Sequence, residues 1–211
     1  MTEQTTELLR NDEARLRSKG LFGDPGDSLS VRIPGHEQFL LMVPDSGEPR
    51  RIAFDAKGNE AAALHAAIYR ARSDAGAVLV GRTKWSAALA KIGATVPTLF
   101  DEQARHIGAT EKPVHIGRHE RAVAALETGA NVAIYGDQRI CVGTTPSRVV
   151  FNAELFKKCA EAFIVAHASG HRIQHVPGWV RYIAGGRLRK DQKRAAESYA
   201  IGKIPEGMDA Y

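Results

Sequence analysis

The pentapeptide Gly76-Ala77-Val78-Leu79-Val80 carries no polar side chain, and a short apolar run of this kind reads as a strand buried inside the molecule. The sequence on either side supplies elements to cover it. On the N-terminal side, Asn59 is a candidate N-cap for a helix over Glu60–Arg72, with Leu64 and Ile68 four residues apart on the buried face. On the C-terminal side, Trp85–Ile92 reads as a helix stopped by Gly93. Upstream, a helix is expected over Thr5–Lys19, marked by Leu8, Leu9 and Leu16 and ended by Gly20. Ser28–Ile33 alternates Leu29, Val31 and Ile33 with Ser28, Ser30 and Arg32, the pattern of a half-buried strand. Pro34-Gly35-His36-Glu37 turns the chain, Gln38–Val43 completes a hairpin, and a short strand follows near Arg51–Phe54.

Downstream, a helix over Glu120–Thr128 leads to strands at Asn131–Tyr135 and Arg139–Gly143, joined by the turn Gly136-Asp137-Gln138. The longest helix is expected over Phe151–Ser169, with Phe151, Leu155, Cys159 and Ala162 on one stripe and Gly170 at its end. Together these elements predict a layered α/β domain whose central, mostly antiparallel sheet is flanked by helices.

Composition narrows the class. A chain of 211 residues, 44% hydrophobic and 25% charged, suits one domain over residues 1–211 and neither a disordered nor a fibrous protein. No stretch approaches the ~18–20 apolar residues of a membrane span, and the first seven residues have neither the basic head nor the apolar run of a secretory signal. Cys141 and Cys159 make no disulfide framework and no metal knuckle, so a cytoplasmic setting is expected. The net charge of +5 comes from 29 basic and 24 acidic residues that are mostly interspersed. One concentration, Arg181, Arg187, Arg189, Lys190, Lys193 and Arg194, comes with no recognition motif, so no nucleic-acid or membrane partner is expected.

Several segments resemble the class II aldolase/adducin family over about residues 6 to 170. Leu9-Arg10, Ala14-Arg15-Leu16 and Lys19-Gly20-Leu21 resemble its opening helix. Asp27-Ser28-Leu29-Ser30-Val31-Arg32 resembles its Gly-Asn-x-Ser-x-Arg strand, and Leu64-His65-Ala66-Ala67-Ile68-Tyr69-Arg70-Ala71-Arg72-Ser73-Asp74 its next helix. Gly76-Ala77-Val78-Leu79, Val96-Pro97-Thr98-Leu99-Phe100 and Gly108 follow in register. The resemblance implies the fold without choosing a reaction, because the family includes aldolases, an epimerase, dehydratases, decarboxylases and the non-enzymatic adducins. It also implies a divalent metal, usually Zn, held by three histidines. Counted from Asp74 and Gly143, those positions fall on Val80, Arg82 and Asp137. The family's catalytic Glu falls on Ala61, with Glu60 one position away.

Valine has no ligand atom, and a guanidinium has no lone pair and repels a cation. The expectation is therefore no metal and no other cofactor. The candidate catalytic residues are Arg82 and Lys84 as cations replacing the ion, with Asp137, Glu60 and His65 as polar or proton-handling groups. An imine at Lys84 would require desolvation of its amine. Ser28, Ser30 and Arg32, with Asp45 and Ser46 from Val43-Pro44-Asp45-Ser46-Gly47, are candidate substrate contacts. Each has a plain structural alternative: Asp137 as a turn residue, Arg82 and Lys84 as a solvated loop, His65 as a hydrogen-bonded core histidine. His167, His171 and His175 form an alternative metal-ligand spacing, with Gly170 interrupting the helix between them, and His115 and His119 a weaker one. Two functions follow as alternatives: a metal-independent lyase acting on a small hydroxy-carbonyl or carboxylate molecule, or a non-catalytic assembly or ligand-binding module. The resemblance further implies a homo-oligomer, a tetramer with sites shared between chains. Residues 179–211, with Trp179, Tyr182, Tyr199 and Tyr211, would then form an interface or lid ordered on a neighbour.

Overall fold

The computed structural model describes residues 2–44, 46–56 and 59–207. In chain order the elements are α1 (Thr2–Ser18), β1 (Ser28–Arg32), β2 (Gln38–Met42), β3 (Arg50–Ala53), α2 (Glu60–Ala71), β4 (Ala77–Arg82) and α3 (Lys84–Ile92). These are followed by α4 (Asp101–His106), α5 (His119–Glu127), β5 (Val132–Tyr135), β6 (Gln138–Gly143), α6 (Pro146–Ala168) and α7 (Gly178–Ala200). The strands form one six-stranded sheet in the order β3-β2-β1-β4-β6-β5, and every pairing between named strands is antiparallel. The apolar run lies at its centre as β4, between β1 and β6.

Both faces of this sheet are covered. Leu29, Val31, Ala77 and Leu79 join Leu9, Leu16, Val149 and Phe156 in the layer built with α1, α3 and α6. Val78 and Val80 join Leu64, Ile68, Ala122 and Leu126 under α2 and α5. The alternation in β1 therefore does not mark a half-buried strand. Ser28 and Ser30 are 1% and 0% exposed, because α2 covers the face they occupy and supplies their hydrogen-bond partners.

Local capping chemistry accounts for most element ends. The Asn59 side chain accepts from the Ala62 N–H, and Thr83 and Ser86 form a capping box at the start of α3. Gly93 closes α3 in the left-handed conformation, where glycine carries no Cβ penalty. Helix α6 starts five residues before the expected Phe151. Pro146 serves as a first-turn residue, where its missing N–H costs nothing, and Thr145 caps the end.

The largest difference is at the C-terminus. Residues 178–200 form one 23-residue helix that packs against α4, so the segment is ordered on its own chain. Gly185 and Gly186 lie within it, where glycine lowers intrinsic helix propensity, and burial of Ala184, Leu188, Ala195 and Tyr199 offsets that loss. Tyr199 is a core residue, its hydroxyl donating to the Thr144 carbonyl at 2.9 Å. Tyr211 lies outside the described residues.

Candidate functional site

A cleft of about 340 Å³ opens on the α2 face of the sheet, at the ends of β4, β5 and β6. Ser28, Glu60, Leu64, Val80, Tyr135 and Gln138 form most of its wall. Pairing of Ser28 with Val80 sets β1 beside β4 there, while the first turn of α2 brings Glu60 across from them. Tyr135 and Gln138 flank the β5–β6 turn. Glu60 is largely exposed, and its carboxylate meets the ring of His119 at 3.3 Å.

Behind Ser28 runs a chain of buried polar side chains. Its Oγ lies 2.9 Å from Nε2 of His65, Nδ1 of His65 lies 2.6 Å from Oγ of Ser30, and Ser30 Oγ lies 2.9 Å from the Tyr69 hydroxyl. His65 is 0% exposed, and burial pushes its pKa down to about 3, so the ring is neutral at physiological pH. It does not line the cleft but stands behind Ser28, as the hydrogen-bonded core reading of this residue has it.

Arg82 and Asp137 meet, with Nε 2.9 Å from Oδ2, but their side chains remain 58% and 44% exposed. The pair lies outside the cleft wall, where Arg82 ends β4 opposite Gln138. Asp137 occupies the β5–β6 turn as its turn reading requires, and Ser86 donates to its carbonyl at 2.8 Å. Asp27 pins the same strand end from beneath. It accepts from the backbone N–H groups of Arg82, Gly23 and Asp24, while burial raises its pKa despite those bonds. Lys84 is exposed, with its ammonium 4.6 Å from the Trp85 ring, and so lacks the desolvation an imine-forming lysine needs.

Other candidates lie elsewhere. Arg32 clamps the C-terminal end of α2 by donating to the carbonyls of Tyr69, Arg72 and Ala75, with its guanidinium against the rings of Phe54, Tyr69 and Tyr199. Ser30 is interior, and Ser46 donates to the Val43 carbonyl on an exposed loop away from the cleft. Asp45 lies outside the described residues. Burial pushes the Cys141 and Cys159 thiols up to about 11 and about 12, which makes both unreactive core groups. Sequence reasoning missed Tyr135, Gln138 and Ile116 as cleft residues. For Tyr135 and Gln138, a position at a strand end beside a turn was the only available signal.

A family model, the class II aldolase and adducin N-terminal domain, matches residues 31–164. The chain belongs to the class II aldolase/adducin family. Its solved structural neighbours agree on the fold. YgbL of Klebsiella pneumoniae, described as a candidate aldolase, epimerase or decarboxylase, superposes with a TM-score of 0.74 at 14% identity, covering 86% of this chain and 98% of that one. An L-fuculose 1-phosphate aldolase from Glaciozyma antarctica gives 0.72 at 14% identity, covering 93% and 88%. An aldolase II superfamily protein from Pseudomonas syringae gives 0.66 at 18% identity, covering 95% and 94%. No curated protein sequence gives a significant match.

The metal associated with class II aldolase/adducin enzymes does not fit the residues found here. At the three positions that the resemblance assigns to its ligands, Val80 offers hydrocarbon, and Arg82 places a cation on the one carboxylate, Asp137. Among the described residues, no group of three or more His, Cys, Asp or Glu side chains is placed to hold a metal ion, and this includes His167, His171 and His175. His167 stacks on Phe163 in the last turn of α6, and the other two histidines follow the helix.

Proposed function

We propose that this family member is a metal-independent lyase that cleaves a C–C or C–O bond next to a carbonyl or carboxylate in a small hydroxy-carbonyl or carboxylate molecule. The observation that carries the reading is the cleft itself, which has a carboxylate, Glu60, on a wall otherwise lined by neutral and apolar side chains. Retro-aldol cleavage, decarboxylation and dehydration all leave electron density on an oxygen and require a proton to move. Glu60, on the cleft wall, is placed to take or return that proton. Arg82, at the adjoining strand end, supplies positive charge toward the developing oxyanion. The aldolase and decarboxylase activities ascribed to the Klebsiella neighbour fall within the same chemistry.

The test is turnover of a panel of aldol, hydroxy-acid and keto-acid compounds by protein treated with a chelator. Activity that persists in chelator and is lost in Glu60→Gln supports the reading; activity that appears only on adding a divalent metal overturns it. The exposure of the Arg82–Asp137 pair favours a second reading, a non-catalytic assembly or ligand-binding module. Binding without turnover anywhere in the panel would select it. We also propose a homotetramer that uses the N-terminal part of α7, where Trp179, Tyr182 and Ile183 are 69%, 77% and 50% exposed. Light scattering at micromolar concentration tests this, and a monomer overturns it. Among the described residues, no helix is long and apolar enough to cross a membrane.

A further inference from the structure

The chain from Ser28 to Tyr69 contains an accounting constraint that fixes what the cleft offers a ligand. Three hydroxyl groups and one neutral imidazole carry four protons, but they make three contacts among themselves. One proton must therefore point out of the chain. If it belongs to Ser30, it is stranded in the interior, since that residue is 0% exposed. If it belongs to Tyr69, it is stranded as well. Tyr69 borders the neighbouring cleft beside Arg32, but its hydroxyl is wholly buried and Ser30 is the partner it has. A buried donor without an acceptor loses its bond to water and gains nothing in return. Ser28, itself 1% exposed, is the one of the three that lies on the wall of the candidate cleft, where water or a ligand can accept the proton.

We propose that Ser28 is a hydrogen-bond donor to an acceptor oxygen, carbonyl or carboxylate, of the molecule bound in this cleft, and that Tyr69, Ser30 and His65 position it by fixing the direction of the chain. Tyr69 donates to Ser30, Ser30 donates to Nδ1 of His65, and the Nε2–H of His65 donates to Ser28. The Ser28 proton is thereby turned outward. This polarity distinguishes the arrangement from a serine nucleophile with a histidine base. There the imidazole nitrogen next to the serine must be free to accept its proton, whereas here that nitrogen carries one. Ser28 binds and does not attack. The inference rests on the reading of this cleft as the ligand site and adds to it the ligand chemistry, an oxygen lone pair directed at β1.

The deciding experiment is 15N NMR of the full-length protein labelled at histidine, with His65 assigned by loss of its signals in His65→Gln. A protonated Nε2 and an unprotonated Nδ1 are expected; a protonated Nδ1, or a charged ring at neutral pH, overturns the proposal. A second sample, labelled with 13C at its leucine and valine methyl groups, is titrated with hydroxyacetone, whose carbonyl is the acceptor under test. Ser28→Ala should weaken its binding about tenfold or more, the cost of losing a well-placed hydrogen bond in a site shielded from water, and Ser28→Thr should restore it. Equal affinity in Ser28→Ala overturns the proposal. If hydroxyacetone leaves the methyl signals of Leu64 and Val80 unmoved in the wild-type chain, the cleft is not the ligand site. The tautomer, which needs no ligand, separates that failure from failure of the chain polarity.

Discussion

Arg72 and Arg82 each pair with an aspartate, and the two pairs have opposite surroundings. Arg72 binds Asp74 through two parallel bonds of 2.7 Å, and its side chain is 6% exposed. Its remaining donors reach the carbonyls of Leu126 and Ala130 and the side chain of Asn131, tying the end of α2 to the segment that enters β5. Arg82 makes one ion-pair contact to Asp137 at the rim of the cleft, in water. A buried bidentate pair is costly to break because the surviving charge has no water. An exposed pair is nearly neutral, since solvent replaces either partner. The first therefore belongs to the fold, while the second is free to serve a ligand without unfolding the protein when it changes.

Four experiments sharpen or break this contrast. The largest effect is expected at the buried pair. Asp74→Ala should lower unfolding stability by about 3–5 kcal/mol, measured by urea denaturation, and a loss under about 1 kcal/mol would erase the distinction between the two pairs.

Next comes the buried imidazole. His65 titrates near 3 in the folded chain and near its ordinary value when unfolded, so between those pH values the unfolded state holds the extra proton. Stability therefore falls as the pH drops from about 6.5 toward 3, with a slope of about 1.4 kcal/mol per pH unit from this group. Asp12, whose carboxyl burial raises to about 6, has the opposite sign, which makes the useful readout a difference between proteins. Urea titrations from pH 6.5 to 4 should show that slope reduced by about one proton in His65→Asn. An unchanged slope would mean that His65 is not a buried neutral ring.

A smaller loss is expected where the rim is held from behind. Ser86 is fully buried, caps α3 and donates to the Asp137 carbonyl. Ser86→Ala should cost about 1 kcal/mol in thermal or urea unfolding. Smallest of all, Arg82→Ala and Asp137→Ala should each change stability by under about 1 kcal/mol, less still at high salt. A loss of several kcal/mol in either would show the rim buried in the assembled protein and place it with the Arg72 pair.

Much of the fold was legible because periodicity and capping are local. The apolar run of β4, the Asn59 cap, the Gly93 stop and the β5–β6 turn each follow from a few neighbouring residues. Helix α7 was not legible in this way. Its paired glycines and many charges weaken the helical signal, and the helix forms where Ala184, Leu188, Ala195 and Tyr199 are buried by the rest of the domain. The strand pattern of β1 was read correctly as a strand and wrongly as half exposed, because periodicity reports which residues share a face and says nothing about what covers it.

The site divides along the same line. The sequence by itself determined the chemistry available: no histidine at Val80, Arg82 or Asp137, a glutamate at the start of α2, and serines alternating through β1. Only the tertiary structure decided how those groups are used. It left the Arg82–Asp137 pair in water and set Ser28 against a histidine 37 residues away, in a chain of bonds that ends at Tyr69. The physical reason is that residue type decides which bonds a group is able to make. Burial, which the packing of α2 on the sheet decides, sets which of those bonds must be made and how much each one matters.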